Sequence, residues 1–310
     1  MDDLLIEPGA PLIRDTKDRR VLNKLGSLEN SSIILVGIPW DWNITGRPGS
    51  RFSPQTIRKY LYSLTTFHPR LGDFGCGIFD AGNIRIAPGD WSTSSKRITE
   101  VMRKMFAYNE KTTIILGGDH SITGAILRAL LDSGKVGLLF FDAHYDMRHL
   151  EEGYSSGTWL RELYEDYGTD KLNTVLIGVL EYSNPPYLSQ SARKYGVKVV
   201  PLDDILRGGV EQALEAIDWL ANKNLDYYYI SVDMDHFDQA YAPGVNAPSP
   251  LGMSPRETLT ILEHAIRHLH PKGVDFTEVS PLVDLNDITS RLTASLVMHT
   301  MHYICEGTKG

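Results

Sequence analysis

Eight apolar, mostly β-branched runs separated by longer mixed stretches constrain this chain more than any other feature. They fall at residues 33–37, 78–80, 113–116, 136–141, 174–178, 197–200, 228–232 and 273–276. Short runs that stay apolar at consecutive positions read as strands buried on both faces, and such strands belong to parallel sheets covered by helices. Between most of them lie helix-length segments with start signals. Ser53-Pro54 opens a run to about residue 63, Ser121 one to about residue 133, and Ser254-Pro255 one to about residue 269. The alternation predicts an α/β fold with three α/β/α layers and a mainly parallel eight-stranded sheet. At 310 residues the length fits one large domain or two smaller ones. The absence of a repeat, a low-complexity tract or a linker favours a single domain over 1–310. Residues 87–95, with Pro, Gly, Ser and Thr, read as a surface loop.

Composition narrows the partners. A net charge of −8 and no basic tract argue against a binder of phosphate backbones, so no nucleic acid is expected and a small molecule is the better partner. Residues 1–20 mix acidic and basic side chains and lack the apolar core of a signal peptide. No stretch reaches the roughly 20 apolar residues of a membrane helix, so no membrane association is expected. The two cysteines, Cys76 and Cys305, stand far apart in sequence with no zinc-type spacing, and they read as buried thiols of a cytoplasmic protein.

Three polar clusters follow apolar runs: Gly117-Gly118-Asp119-His120, Asp142-Ala143-His144-Tyr145-Asp146 and Asp233-Met234-Asp235. Ligands of α/β sheets bind at strand ends, so the three clusters can converge. Residues 142, 144 and 146 stand two apart, as do 233 and 235, which an extended segment directs to one side. His120, Asp142, His144, Asp146, Asp233 and Asp235 make six candidate ligands, enough for two cations. Four carboxylates and two imidazoles without a thiolate favour manganese over structural zinc. A lone Asp-x-His-x-Asp is as often a solvated loop, but three clusters after three strands point to a binuclear site. Two Gly- and Pro-rich segments, 45–54 and 241–252, are either walls of that site or ordinary connections.

With these residues in view, the chain resembles the ureohydrolases, the arginase and agmatinase superfamily of dimanganese amidine and guanidine hydrolases. The likeness runs from Gly37-Ile38-Pro39 and Arg47-Pro48-Gly49-Ser50-Arg51 through Glu278-Val279 to the last helix. It implies an arginase-like fold and two Mn2+ per subunit. Asp142 and Asp233 would bridge the ions, His120 and Asp146 complete one site, and His144 and Asp235 the other. It further implies ions about 3.5 to 4 Å apart activating a water as nucleophile. Glu278 would pair with the substrate's amidinium or guanidinium, and Asp146 would also pass a proton to the departing nitrogen. A homo-oligomer, trimer or hexamer, is implied as well.

The branch within the superfamily is read after the second cluster. Agmatinase-like members carry Ser-His-Gly-Thr where this chain has Ser155-Ser156-Gly157-Thr158, so Ser156 stands in the histidine's place. Arg148 occupies a position where arginases have a neutral side chain, and a guanidinium there favours a carboxylate. Together with Glu181-Tyr182-Ser183-Asn184 and Ala242-Pro243-Gly244-Val245, these features resemble the formimidoylglutamases. This implies hydrolysis of N-formimidoyl-L-glutamate to L-glutamate and formamide, with Arg148, Ser155, Ser156 and Asn184 as substrate contacts and Thr158 as a further hydroxyl. Leu180 departs from the pattern, because relatives often carry Arg there; Arg47, Arg51 and Arg161 are the candidates to replace it. The rival reading is an agmatinase or guanidino-acid hydrolase that releases urea. A one-zinc deacetylase and a non-catalytic scaffold fit the six-ligand set less well. His236 reads as a core residue or as a support behind the ligands, and His299 and His302 as packing residues.

Overall fold

The computed structural model describes residues 17–151, 153–180 and 182–307. Glu181 and the first sixteen residues, on which the signal-peptide reading chiefly rests, lie outside them. In chain order the elements are β1 (Ile33–Gly37), α1 (Ser53–Leu61), β2 (Phe67–His68), β3 (Gly72–Asp73), β4 (Ile78–Asn83) and α2 (Trp91–Phe106). Then come β5 (Thr112–Leu116), α3 (Ser121–Leu131), β6 (Val136–Phe141), α4 (Trp159–Tyr167), β7 (Leu172–Val179) and α5 (Pro186–Lys194). The chain closes with β8 (Lys198–Pro201), α6 (Leu202–Gly208), α7 (Glu211–Ala221), β9 (Tyr227–Asp233), α8 (Pro255–Leu269), β10 (Gly273–Thr277) and α9 (Ile288–Gly307).

Every one of the eight expected strands enters one sheet, ordered β4-β1-β5-β10-β9-β6-β7-β8. All its pairings are parallel. The chain runs from β5 to β6 across a gap that β9 and β10 later fill. The strands that end in polar clusters are thereby the four central neighbours β5, β10, β9 and β6. Alternate residues face opposite layers. Leu35, Ile114, Leu139 and Ile230 pack with Ile57 of α1, Ile217 of α7, Ile261 of α8 and Val297 of α9. Val36, Ile115, Leu138 and Tyr229 pack with Ile98 of α2, Ile126 of α3, Leu163 of α4 and Leu188 of α5. Strands enclosed on both faces need no polar alternation, which is why they read as continuous apolar runs.

The helix starts hold for local reasons. Ser254 caps α8, its hydroxyl accepting from the Glu257 amide while Glu257 reaches back to the Ser254 amide, and Pro255 occupies the first turn. The loop expected over 87–95 is corrected in its second half, because α2 begins at Trp91. Asp90 accepts from the Thr93 amide at 3.0 Å and ends the loop there. The short antiparallel pair β2–β3 was not expected.

Cys76 and Cys305 form a disulfide, with 5.9 Å between their Cα atoms, which corrects the expectation of two buried thiols. The fold brings the entry to β4 beside the end of α9, a proximity that 229 residues of separation conceal. No helix among the described residues is long and apolar enough to cross a membrane.

Candidate metal centre and substrate cleft

The site forms where the four central strands end. Gly117 and Gly118 leave β5 so tightly that a Cβ on Gly117 would stand 2.3 Å from the Phe276 carbonyl oxygen. One on Gly118 would meet that of Trp40. Only glycine lets β5 end this close to its neighbours, and the turn delivers His120 to the head of α3. The segment after β6 turns at Asp146, whose φ of 51° is left-handed, and the segment after β10 turns at Glu278, with φ of 67°. Such conformations cost a non-glycine residue about 1–3 kcal/mol and cluster where geometry serves function.

All six expected ligands converge. His120 Nδ1 lies 3.0 Å from Asp142 Oδ2, 3.0 Å from Asp146 Oδ2 and 3.1 Å from Asp233 Oδ2. His144 Nδ1 lies 3.3 Å from Asp142 Oδ1 and 3.1 Å from Asp235 Oδ2. The two oxygens of Asp142 thus face different imidazoles, the disposition of a carboxylate shared by two cations. His120, Asp142 and Asp233 form one group able to hold an ion, and Asp142, His144 and Asp235 a second.

Electrostatics fits cations in both places. Asp142 is fully buried, and burial together with the Asp146 and Asp235 charges pushes its carboxyl up to about 6. Burial and the neighbouring Asp235 and Asp142 raise Asp233 well above the usual range. Burial opposes charge on His120, yet Asp142, Asp146 and Asp233 hold its imidazole well above the ordinary value. Asp142 Oδ2 and His120 Nδ1 are buried, make no well-formed hydrogen bond and meet only one another and the neighbouring carboxylates. Buried carboxylate oxygens crowded in this way are costly in a protein unless a cation meets them.

Outer partners hold these ligands in place. Nε2 of His120 is 2.9 Å from the Ser231 hydroxyl, which donates to Asp275 at 2.5 Å. The other oxygen of Asp275 accepts from Tyr229 at 2.8 Å and Thr123 at 2.9 Å. With its Nε2 so engaged, His120 presents Nδ1 to the ligand cluster. Trp159 donates from Nε1 to Asp146 Oδ2 at 2.6 Å. Sequence reasoning missed this network. The available signal was Asp275, an acid inside an otherwise uncharged buried strand.

Glu278 is buried rather than solvent-facing. Its Oε1 accepts the His120 amide at 2.7 Å, while Oε2 has no partner. Burial first, then the charges of Asp233 and Asp119, raise it well above the usual range. It lines a cleft with the ligands, Arg148, Ser156, Asn184 and Asn246. Arg148 is exposed and makes no ion pair among the described residues, and its side-chain stem packs on Gly157. Asn246 was missed; its Oδ1 is buried and unpaired.

The residues expected to contact substrate divide. Ser156 is buried and lines the cleft, whereas Ser155 lies in an adjoining outer hollow with Thr158, whose hydroxyl caps the Ser155 backbone. Asn184 spends its amide donors on the carbonyls of Ala143 at 2.9 Å and Leu180 at 3.2 Å. What it can offer is the buried, unpaired Oδ1, an acceptor unsuited to a carboxylate. Arg47 donates to the Pro243 carbonyl at 2.7 Å and the Val245 carbonyl, Arg51 pairs with Asp41, and Arg161 pairs with Glu165. None replaces the arginine absent at Leu180. The Arg47 contacts latch the 45–54 and 241–252 segments together, and Thr45, Asn246 and Ala247 wall the cleft. His236 is buried between the Asp233 carbonyl, which its Nδ1 meets, and the Thr258 hydroxyl, which its Nε2 meets at 2.9 Å, so it is both a core residue and a support behind a candidate ligand.

Residues 31–303 match the model of the Arginase family. The formimidoylglutamase of Halalkalibacterium halodurans is 34% identical over 277 residues, covering 87% of this chain and 86% of the relative. The proclavaminate amidinohydrolase of Streptomyces clavuligerus is 33% identical, covering 85% of each chain. The crystal structure of formimidoylglutamase from Bacillus subtilis superposes with a TM-score of 0.91 at 27% identity, covering 98% of this chain and 97% of its own.

Proposed function

We propose, from the premise that this chain belongs to the arginase family, that it hydrolyses N-formimidoyl-L-glutamate to L-glutamate and formamide. One observation carries the substrate. The cleft has opposite electrostatic ends, with the unpaired Glu278 oxygen beside the ligand cluster and, at the exposed end, the Arg148 guanidinium, which makes no ion pair among the described residues. A molecule with an amidinium at one end and carboxylates at the other matches both. The neutral acceptors Asn184 Oδ1 and Asn246 Oδ1 favour a substrate rich in N–H groups between them.

His120, Asp142, Asp146 and Asp233 would hold one ion, and Asp142, His144, Asp233 and Asp235 the other. The oxygen-rich set suits manganese. When bound, such a pair acidifies water enough to supply a nucleophile near neutrality. The chain's own residues do the rest. Glu278 receives the amidinium and turns its carbon toward the ligands. Asp146, oriented by Trp159, passes a proton to the glutamate nitrogen as the C–N bond breaks. Arg148 anchors a carboxylate by charge-assisted hydrogen bonds, and the Ser156 hydroxyl adds a donor at the same end. We read the chain as a single hydrolase domain that works as a homo-oligomer, trimer or hexamer, in the cytoplasm.

The test is direct. Manganese-loaded protein is incubated separately with N-formimidoyl-L-glutamate, agmatine and 4-guanidinobutyrate, and products are identified by mass spectrometry. Formamide and glutamate from the first alone are expected; urea from either guanidine moves the chain to the rival activity. Arg148→Ala should raise KM for formimidoylglutamate at least about tenfold, a loss of roughly 1.4 kcal/mol, with a smaller change in kcat. An unchanged KM removes the carboxylate anchor.

A further inference from the structure

A second cluster of metal-ligating side chains lies on the outer helices and takes no part in the cleft. His264 and His268 stand one turn apart on α8, and Asp218 reaches them from α7. One ligand atom from each of the three lies within 4.8 Å of the others. The two imidazoles stack with centroids 3.9 Å apart and planes inclined by 23°. Nε2 of His264 is 2.7 Å from Asp218 Oδ1. None of the three lines the substrate cleft.

The tautomer of His268 is set by its backbone. Its Nδ1 lies 2.8 Å from the His264 carbonyl oxygen, which can only accept, so Nδ1 carries the proton and Nε2 keeps its lone pair. A carbonyl on one ring nitrogen is the arrangement that prepares the other for a metal. Half-exposed Asp218 supplies an anionic oxygen without the cost of burying it. An ion pair between the two helices would require only Asp218 and His264; it gives no reason for the second imidazole to stack there with its lone pair free.

We propose that Asp218, His264 and His268 form a surface site for a borderline divalent transition ion, of which Zn2+ is the representative. Two imidazoles and one carboxylate make a three-ligand zinc set with a position left for water. The softer donors separate this site from the carboxylate-rich cluster, which suits a harder ion. On binding, the proton that His264 Nε2 shares with Asp218 is lost or moves to Nδ1, and that nitrogen becomes a ligand. The ion would then fasten α7 to α8, two helices that cover the same face of the sheet.

Zn2+ is titrated calorimetrically into the manganese-loaded enzyme and into manganese-loaded His268→Ala. Any exchange of zinc into the cleft occurs in both proteins and drops out of the comparison. The wild type is expected to take up one more equivalent than the variant, or to hold it more than about tenfold more tightly, since losing a ligand costs more than losing an outer partner does. Zn2+ should also raise the melting temperature of the wild type more than that of the variant. Manganese-dependent turnover of His268→Ala, unchanged, shows that the variant is folded. Equal stoichiometry and equal affinity in the two proteins overturn the proposal.

Discussion

The two imidazoles of the strand-end cluster sit in unlike surroundings. His120 is fully buried, lies against Trp159 with centroids 5.0 Å apart, and is tied through Ser231 to Asp275. The His144 side chain keeps 29% of its surface open, and its second nitrogen has no partner among the described residues. One half of the cluster is thus preorganised by three layers of hydrogen bonds, while the other meets solvent directly. Position and lability would therefore be set separately in the two halves. An ion held in the deep half would be fixed in place by this relay, and one in the shallow half would exchange with solvent more readily.

The comparison breaks first at the group the halves share. Asp142→Ala should lower kcat/KM at least about a thousandfold, or about 4 kcal/mol of barrier, and release both metal equivalents. A variant that keeps two bound ions would show that Asp142 does not join the halves. Next come the separate imidazoles. After desalting, His144→Ala should retain about one manganese equivalent and His120→Ala clearly less, as measured by atomic absorption. Equal retention would erase the distinction between deep and shallow. Ser231→Ala and Asp275→Asn should loosen the more tightly held ion about 10- to 100-fold and leave the other near its wild-type affinity. Loosening of both alike would mean the relay supports the sheet rather than His120.

The smallest effect concerns the protein stripped of metal. Asp142, at about 6, and Asp119, pushed by burial to about 7, keep their protons longer in the folded chain than in the unfolded one, where carboxyls titrate near pH 4. Their contribution is fully present below that value and is lost as pH rises through 6 and 7. His120 and His144, both raised, contribute fully below about pH 6.5 and lose that contribution as pH climbs through their folded values. His236, held by burial at about 4, acts in the opposite direction. The sum predicts that the melting temperature of metal-free protein falls between pH 5 and 8, and that manganese removes the fall. A metal-free melting temperature that rises across this interval would show that the cluster is not repulsive.

Most of the architecture was legible because burial on both faces writes itself into consecutive residues. The central strands β5, β6, β9 and β10 show it, and the polar clusters at their ends mark where they stop, whereas the edge strands β4 and β8 are only partly buried. The pair β2–β3, two residues each, is too short to carry a period. The convergence of the six candidate ligands was readable from their spacing and from their placement at strand ends, whereas the strand order that makes their strands central neighbours is visible only in the structure. What escaped depended on side-chain direction. The amide of Asn184 faces two carbonyls that no local pattern reveals, and the partners of Asp275 come from β9 and α3, far apart in sequence.

The bond between Cys76 and Cys305 has a further consequence for the covalent topology of the molecule. Every ligand, together with Arg148 and Glu278, lies between those two residues in sequence, so the whole candidate centre belongs to a closed ring of chain. A protease that cuts once in any exposed connection inside the ring opens it without releasing a fragment. The nicked molecule should migrate as one species on a denaturing gel until a reductant is added, then resolve into two.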